Sequence, residues 1–363
     1  MPRILVVVGT RPNFIKITQF RKECARFPRM ILRIVHTGQH HDDKMAAVFF
    51  QQFGLQPDHF LNIPAGSPNS QIARISLSLE ELIQKQFTPD LIIVPGDVNS
   101  TLAGAVTANK MGIKLAHLES GLRSFDRTMP EEFNRILTDV MSDFLFVTEQ
   151  SGIDNLMKEG RDKSSLFMVG NTMIDTLVAY KEQIESSPVL EKMELSPQKY
   201  VLMTMHRPAT VDSVQGWEKL LSVVESIGKK YNVVFPVHPR SLKNADSMGL
   251  SGRMKNMKFL KLADPLDYFS FQKLVKYSKF IITDSGGIQE ESTFLKVPCL
   301  TLRPNTERPV TLEGTNELVP FEIQHIKMKV EQIEDGSFKK GVVPFLWDGK
   351  ATARVVDVIS QLI

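Results

Sequence analysis

Lys16 closes the segment Gly9-Thr10-Arg11-Pro12-Asn13-Phe14-Ile15-Lys16, which follows the apolar run Ile4 to Val8. A glycine ends the expected strand, and Pro12 suits the first turn of a helix. Arg11 and Lys16 then stand beside a helix N-terminus, whose free N–H groups already favour anions. A phosphate or diphosphate is the expected guest, although a solvated basic first turn explains the segment equally well. The segment is neither G-x-G-x-x-G nor a P-loop, so dinucleotide and P-loop nucleotide binding are disfavoured at this turn.

Carboxylates recur at similar positions. Asp97 follows Leu91-Ile92-Ile93-Val94-Pro95-Gly96 and precedes Asn99-Ser100-Thr101, where it can either cap a helix or serve chemistry. Glu119 follows a strand ending at His117, and Gly121 permits a sharp backbone departure. Thr128 and Glu131 match a capping box, which would make Glu131 structural, and Glu132 can face solvent. Carboxylates crowded away from water have their pKa values driven apart, which yields acid and base partners. His206-Arg207-Pro208 and His238-Pro239-Arg240 add imidazole and guanidinium groups after two later strands. His206 suits acid, base or phosphate-donor work, and Arg207 and His238 are candidate substrate contacts. No histidine pair has metal-ligand helical spacing, so no metal site is expected.

The strongest local signal is Thr283-Asp284-Ser285-Gly286-Gly287-Ile288-Gln289-Glu290-Glu291. A strand ends, two glycines admit close approach, and a helix begins. Backbone N–H groups of Gly286 and Gly287 with the Ser285 hydroxyl can cradle a phosphate. Glu291, one and a half turns into the helix, can accept both ribose hydroxyls. Arg308 adds charge for a diphosphate. Phe271 can stack on a base or belong to a core.

These residues need elements that bring them to one edge. At 363 residues the chain exceeds the size of a single core, so two domains are expected. The apolar runs 4–8, 31–36, 91–95, 113–117, 144–148 and 167–169 read as strands, mostly continuous as in a parallel sheet covered on both faces. Residues 188–198 look like a linker. A second series follows at 200–205, 233–237, 258–261, 280–283, 299–302 and 318–319, with amphipathic helices at 214–230 and 268–277 and a terminal helix at 351–363. The expected fold is α/β, with two doubly wound Rossmann-like domains facing an interdomain cleft, because ligands of open α/β sheets sit beyond the strands' carboxyl ends.

A net charge of +3 with dispersed Lys and Arg argues against a nucleic-acid partner. No run approaches a membrane span, and two distant cysteines offer neither a disulfide framework nor zinc spacing, which fits a cytoplasmic protein.

Taken together, the chain resembles the non-hydrolysing UDP-N-acetylglucosamine 2-epimerases. The resemblance rests on G-T-R-P-x-x-I-K at 9–16, Gly96-Asp97, His117-Leu118-Glu119-Ser120-Gly121-Leu122-Arg123 and Pro130-Glu131-Glu132 with Asn134-Arg135. Gly170-Asn171, Ile174-Asp175, His206-Arg207, the 284–291 segment and Thr306 to Pro309 continue it in order. It implies a fold of the glycosyltransferase B type with domains at 1–170 (catalytic) and 171–348 (UDP-binding), and a helix at 349–363 returning to the first. It also implies reversible conversion of UDP-GlcNAc to UDP-ManNAc through elimination of UDP and re-addition to a 2-acetamidoglucal, supplying activated ManNAc for surface polysaccharide. Lys16, Asp97, Glu119, Glu131 and His206 map to the family's catalytic set. Arg11, Leu266 through its backbone, Phe271, Ser285, Gly286, Gly287, Glu291 and Arg308 map to nucleotide-sugar contacts. No cofactor is implied, and a homodimer is the expected assembly.

The chain also departs from the family's commoner pattern. Asn13-Phe14 replaces Glu-Ala, and the stretch from Gln39 to Met45 differs near a loop where bacterial members carry an activating UDP-GlcNAc site. Ser124 to Pro130 resembles epimerases of 2,3-diacetamido uronic acid sugars. The rival readings are such an epimerase, a UDP-sugar glycosyltransferase of the same fold, a hydrolysing relative, and an inactive nucleotide-sugar sensor.

Overall fold

The computed structural model describes residues 1–38, 50–237 and 239–363. His238 and the departing stretch at 39–45 therefore lie outside the described residues. The chain forms two compact units, residues 1–179 with 345–363, and residues 180–344.

The first unit carries a seven-stranded sheet, β1 (Arg3–Val8), β2 (Ile31–His36), β3 (His59–Phe60), β4 (Leu91–Pro95), β5 (Lys114–Ser120), β6 (Phe144–Val147) and β7 (Leu166–Met168). Its order is β3-β2-β1-β4-β5-β6-β7, and neighbouring strands pair in parallel. β1 and β4 are buried almost throughout, as continuous Val/Ile/Leu runs in a parallel sheet must be. β3 has no counterpart among the expected strands, since two residues are too few to show a period. The second unit's sheet runs β10-β9-β8-β11-β12-β13. Its strands are β8 (Tyr200–Thr204), β9 (Asn232–Pro236), β10 (Leu260–Ala263), β11 (Ile281–Thr283), β12 (Cys299–Thr301) and β13 (Asn316–Leu318). In both sheets the order reverses between the first and fourth strands of the unit, and loops leaving such a switch point form a ligand crevice.

Two expectations are corrected here. Residues 188–198 are not a linker: Val189, Leu190 and Leu195 are buried in the core beside Tyr200 and Leu274. The boundary falls at 179/180 rather than 170/171, because the helix Thr172–Ala179 is fastened to the first unit. Thr176 Oγ1 reaches the Ile15 carbonyl and lies 2.5 Å from Thr18 Oγ1. The chain re-enters the first unit at Phe345, and Asp175 accepts the Ala351 and Thr352 N–H groups that open the terminal helix Ala351–Leu362.

Candidate active site

In the first unit the switch-point loops follow β1 and β4. Asn13 ties them together: its Nδ2 donates to the Pro95 carbonyl at 3.0 Å, and its Oδ1 accepts from Thr10 Oγ1 at 3.0 Å. The helix Arg11–Ile15 is only five residues long, with Arg11 half-buried in its first turn. Lys16 is not a solvated cation. It is 4% exposed and its Nζ lies 2.7 Å from Glu119 Oε2.

Glu119 occupies a backbone that side chains usually avoid. Its φ is +68°, and the β5–β6 register slips there, so that Leu118 faces Phe146 and Ser120 faces Val147. A left-handed non-glycine residue costs about 1–2 kcal/mol, and bulges of this kind re-aim a side chain. Gly96, at φ +68°, leaves room for the result, since a Cβ there would stand 2.9 Å from Lys16 Nζ.

Asp97 does not cap the following helix, whose N-cap is Val98 without a side-chain cap. Instead its Oδ2 accepts from Arg135 Nε at 2.9 Å, and Asn134 Nδ2 holds its carbonyl at 2.8 Å. Arg135 also pairs with Glu132. Glu132 does not face solvent: it is 2% exposed and accepts from the Ser124 and Phe125 N–H groups at 2.9 and 2.8 Å. The capping box is absent too. The helix Pro130–Met141 has Met129 at its N-cap, and Thr128 Oγ1 turns to Asp126 at 2.6 Å. Glu131 is half-buried in the first turn of this helix. The helix buries Glu132, Arg135 and Asp139 while Phe133, Leu137 and Val140 are exposed. That inversion of the usual amphipathic pattern was the readable sign that Glu132, Arg135 and Asp139 have work inside.

In the second unit, β8 ends at Met205-His206-Arg207 and β11 at Asp284. The buried Asp284 accepts the His206 and Arg207 N–H groups at 3.0 and 2.9 Å, and its Oδ1 lies 2.7 Å from His206 Nδ1. Burial pushes the Asp284 carboxyl up, but His206 and the two N–H groups outweigh it and hold it low. The His206 ring is otherwise exposed.

Ser285, the N-cap of the helix Gly286–Leu295, makes no side-chain cap, and Ser285, Gly286 and Gly287 are half-buried. Gly286 has a packing role that the motif did not reveal: a Cβ would lie 2.8 Å from both Arg308 Nη1 and Glu307 Oε1. Arg308 is 6% exposed, with its Nε 2.9 Å from Glu290 and a second contact to Glu307, which Arg303 Nη2 reaches at 2.9 Å. Burial pushes the Arg303 guanidinium below its ordinary value. Glu307 opposes that, while the charges of Arg207 and Arg308 add to it. No role was legible in the sequence for Arg303 and Glu307, because charged residues beside prolines ordinarily read as surface, nor for Glu290, which sits within the helix Gly286–Leu295.

Glu291 is 5% exposed, and burial pushes its carboxyl up to about 7 against a hydrogen bond from Gln272. Burial also drives the Tyr268 phenol well above its usual range, with the Glu291 charge adding to the effect. Leu266 and Phe271 are half-buried and pack against the core cluster of Leu274 and Ile288.

The first unit thus brings Lys16 and Glu119 together beside Gly96–Asp97. The second groups His206 and Arg207 with Asp284 and, separately, Arg308 with Gly286. Fold and switch-point residues define a doubly wound α/β enzyme with ion-paired carboxylates on one unit and an uncapped helix start among guanidinium groups on the other. A family model described as UDP-N-acetylglucosamine 2-epimerase matches residues 22–360. The chain belongs to that family and is an isomerase. It is 39% identical over 340 residues to a UDP-N-acetylglucosamine 2-epimerase of Methanococcus maripaludis, with 92% of each chain covered. It is 38% identical to the UDP-2,3-diacetamido-2,3-dideoxy-D-glucuronate 2-epimerase of Pseudomonas aeruginosa, over 99% of this chain and all of that one. A crystal structure of the Methanocaldococcus jannaschii UDP-GlcNAc 2-epimerase in complex with UDP-GlcNAc and UDP superposes with a TM-score of 0.90 at 35% identity, covering 99% of both chains. Among the described residues, no helix is long and apolar enough to cross a membrane.

Proposed function

We propose that this chain interconverts UDP-GlcNAc and UDP-ManNAc by eliminating UDP and adding it back to 2-acetamidoglucal. The observation that carries the proposal is the buried Lys16–Glu119 pair, 2.7 Å apart, with Glu119 on a bulged strand. A C–H bond next to an anomeric carbon is scarcely acidic. A carboxylate can take its proton only as the C–O bond to UDP breaks, with the bond electrons leaving on the diphosphate and a C=C bond forming. Arg11, Lys16 and His206 hold the charge that develops on UDP, the electrostatic term that usually dominates catalysis. Asp97, Glu119 and Glu131 supply the base and the acid that returns a proton to the other face. Ser285, Gly286, Gly287, Arg207, His238 and Arg308 hold the diphosphate, Glu291 the ribose, and Leu266 with Phe271 the base.

The test is a proton NMR time course with UDP-GlcNAc in heavy water. UDP-ManNAc carrying one deuterium at the epimerised carbon is expected. Product retaining its original proton excludes this route. Free ManNAc indicates the hydrolysing relative, transfer only with an acceptor a glycosyltransferase, and binding without turnover a sensor. The reaction is expected to proceed unchanged in EDTA, and loss of rate restored by a divalent ion would overturn that.

The near-equal identity to the P. aeruginosa enzyme favours a second reading, a 2-epimerase of a UDP-2,3-diacetamido uronic acid. A larger kcat/KM with that sugar than with UDP-GlcNAc would establish it.

A further inference from the structure

Asp139 lies outside every group assigned above, yet it is fully buried on the helix that also carries Arg135 and Glu131. Its Oδ1 is 2.7 Å from His117 Nδ1, and its Oδ2 accepts from the Gly121 N–H at 3.0 Å and from Arg123 Nη2 at 2.7 Å. His117 and Gly121 flank Glu119 by two residues on either side. The chain takes positive φ at both Glu119 (+68°) and Gly121 (+78°), so this stretch must be held by something outside itself. The other ring nitrogen of His117, Nε2, is 2.7 Å from the Gly96 carbonyl, immediately before Asp97. Burial pushes the Asp139 carboxyl up, but His117 and Arg123 outweigh it and keep it low.

We propose that Asp139 is the positioning residue of the acid–base site, clamping both shoulders of the Glu119 bulge and, through His117, the Gly96–Asp97 turn. The proposal rests on the epimerase reading for its kinetic consequence but not for its geometry. A carboxylate can accept from His117, Gly121 and Arg123 together. An amide turns an N–H towards one of these donors and cannot. The clamp requires His117 to donate from Nδ1 to Asp139, while its Nε2 faces the Gly96 carbonyl.

In Asp139→Asn, turnover of UDP-GlcNAc per UDP-binding site, with sites counted by calorimetry, should fall about 10²-fold, as misplacing a reacting group does, while KM stays within about twofold. Glu159→Gln removes only the outer partner of Arg123, which reaches Glu159 at 2.7 and 2.8 Å, and should keep wild-type turnover. Fewer UDP-binding sites with normal turnover per site, or equal losses in both variants, would overturn the proposal. Should Asp139→Asn fail to fold, nitrogen-15 NMR of His117 in the wild-type protein decides. Hydrogen on Nδ1 is expected, and a bare Nδ1 overturns the clamp. A wild type that binds UDP without turnover refutes the epimerase reading and leaves this NMR test standing.

Discussion

Two deeply buried carboxylates, Glu119 in the first unit and Glu291 in the second, have opposite surroundings. After β4 and within β5, each carboxylate has a cation on it: Arg135 at 2.9 Å from Asp97, Lys16 at 2.7 Å from Glu119. In the second unit Glu291 is as deeply enclosed, but its neighbours are the Gln272 amide and the Tyr268 phenol, and burial carries its carboxyl to about 7. A matched pair is fixed in place, which suits a group proposed to move a proton along a set direction. A carboxyl held near neutrality gains from any ligand hydroxyl that replaces its lost water, which suits recognition. Arg308 sharpens the contrast, since Glu290 and Glu307 hold it in place for an anion while Glu291 stays unmatched.

The largest expected effect comes from breaking the matched pair. Lys16→Met leaves Glu119 buried without its cation and should lower stability by about 3–5 kcal/mol in urea unfolding. Turnover should fall by about 10³-fold or more, with UDP affinity little changed. A stability loss below about 1 kcal/mol would remove the distinction drawn between the units.

Next comes the pH dependence of Glu291. Its carboxyl sits at about 7 when folded against an ordinary value of 4.5. Between these values the folded chain holds the extra proton, so its stability falls as pH rises and levels off above about 7. The loss should be about 3 kcal/mol across that window and absent in Glu291→Gln, as urea titrations from pH 4 to 8 can measure. A wild type whose stability rises over this range from Glu291 would reverse the assignment.

Glu291→Ala should weaken UDP binding by roughly 1.5–3 kcal/mol, one to two orders of magnitude by calorimetry. Unchanged affinity would take the ribose away from this residue. The smallest effect belongs to Gly286→Ala. Its Cβ meets the side-chain ends of Arg308 and Glu307 rather than backbone, so the fold should survive while UDP affinity drops by roughly 1 kcal/mol. A loss larger than that of Glu291→Ala would shift the weight of binding from ribose to diphosphate.

Both sheets were legible from the chain because a strand buried on two faces must be a continuous apolar run, and turn residues mark where it stops. The same rule located the loops after β1, β4, β8 and β11, and hence Lys16, Asp97, His206 and Ser285. By contrast, β5 runs on to Ser120 and holds Glu119 inside the strand rather than after a strand ending at His117. His59–Phe60 escaped because it is too short for a pattern, and 188–198 because Val189, Leu190 and Leu195 are too sparse to announce a core. Which charge stands on which was decided only in three dimensions. Lys16 and Glu119 are 103 residues apart, and local preference carries no information over that distance. Only the folded sheet sets β1 beside β4 and β4 beside β5. Only the burial that follows converts a basic turn into an ion pair, a capping candidate into the partner of Arg135, and Asp139 into the clamp on a strained strand.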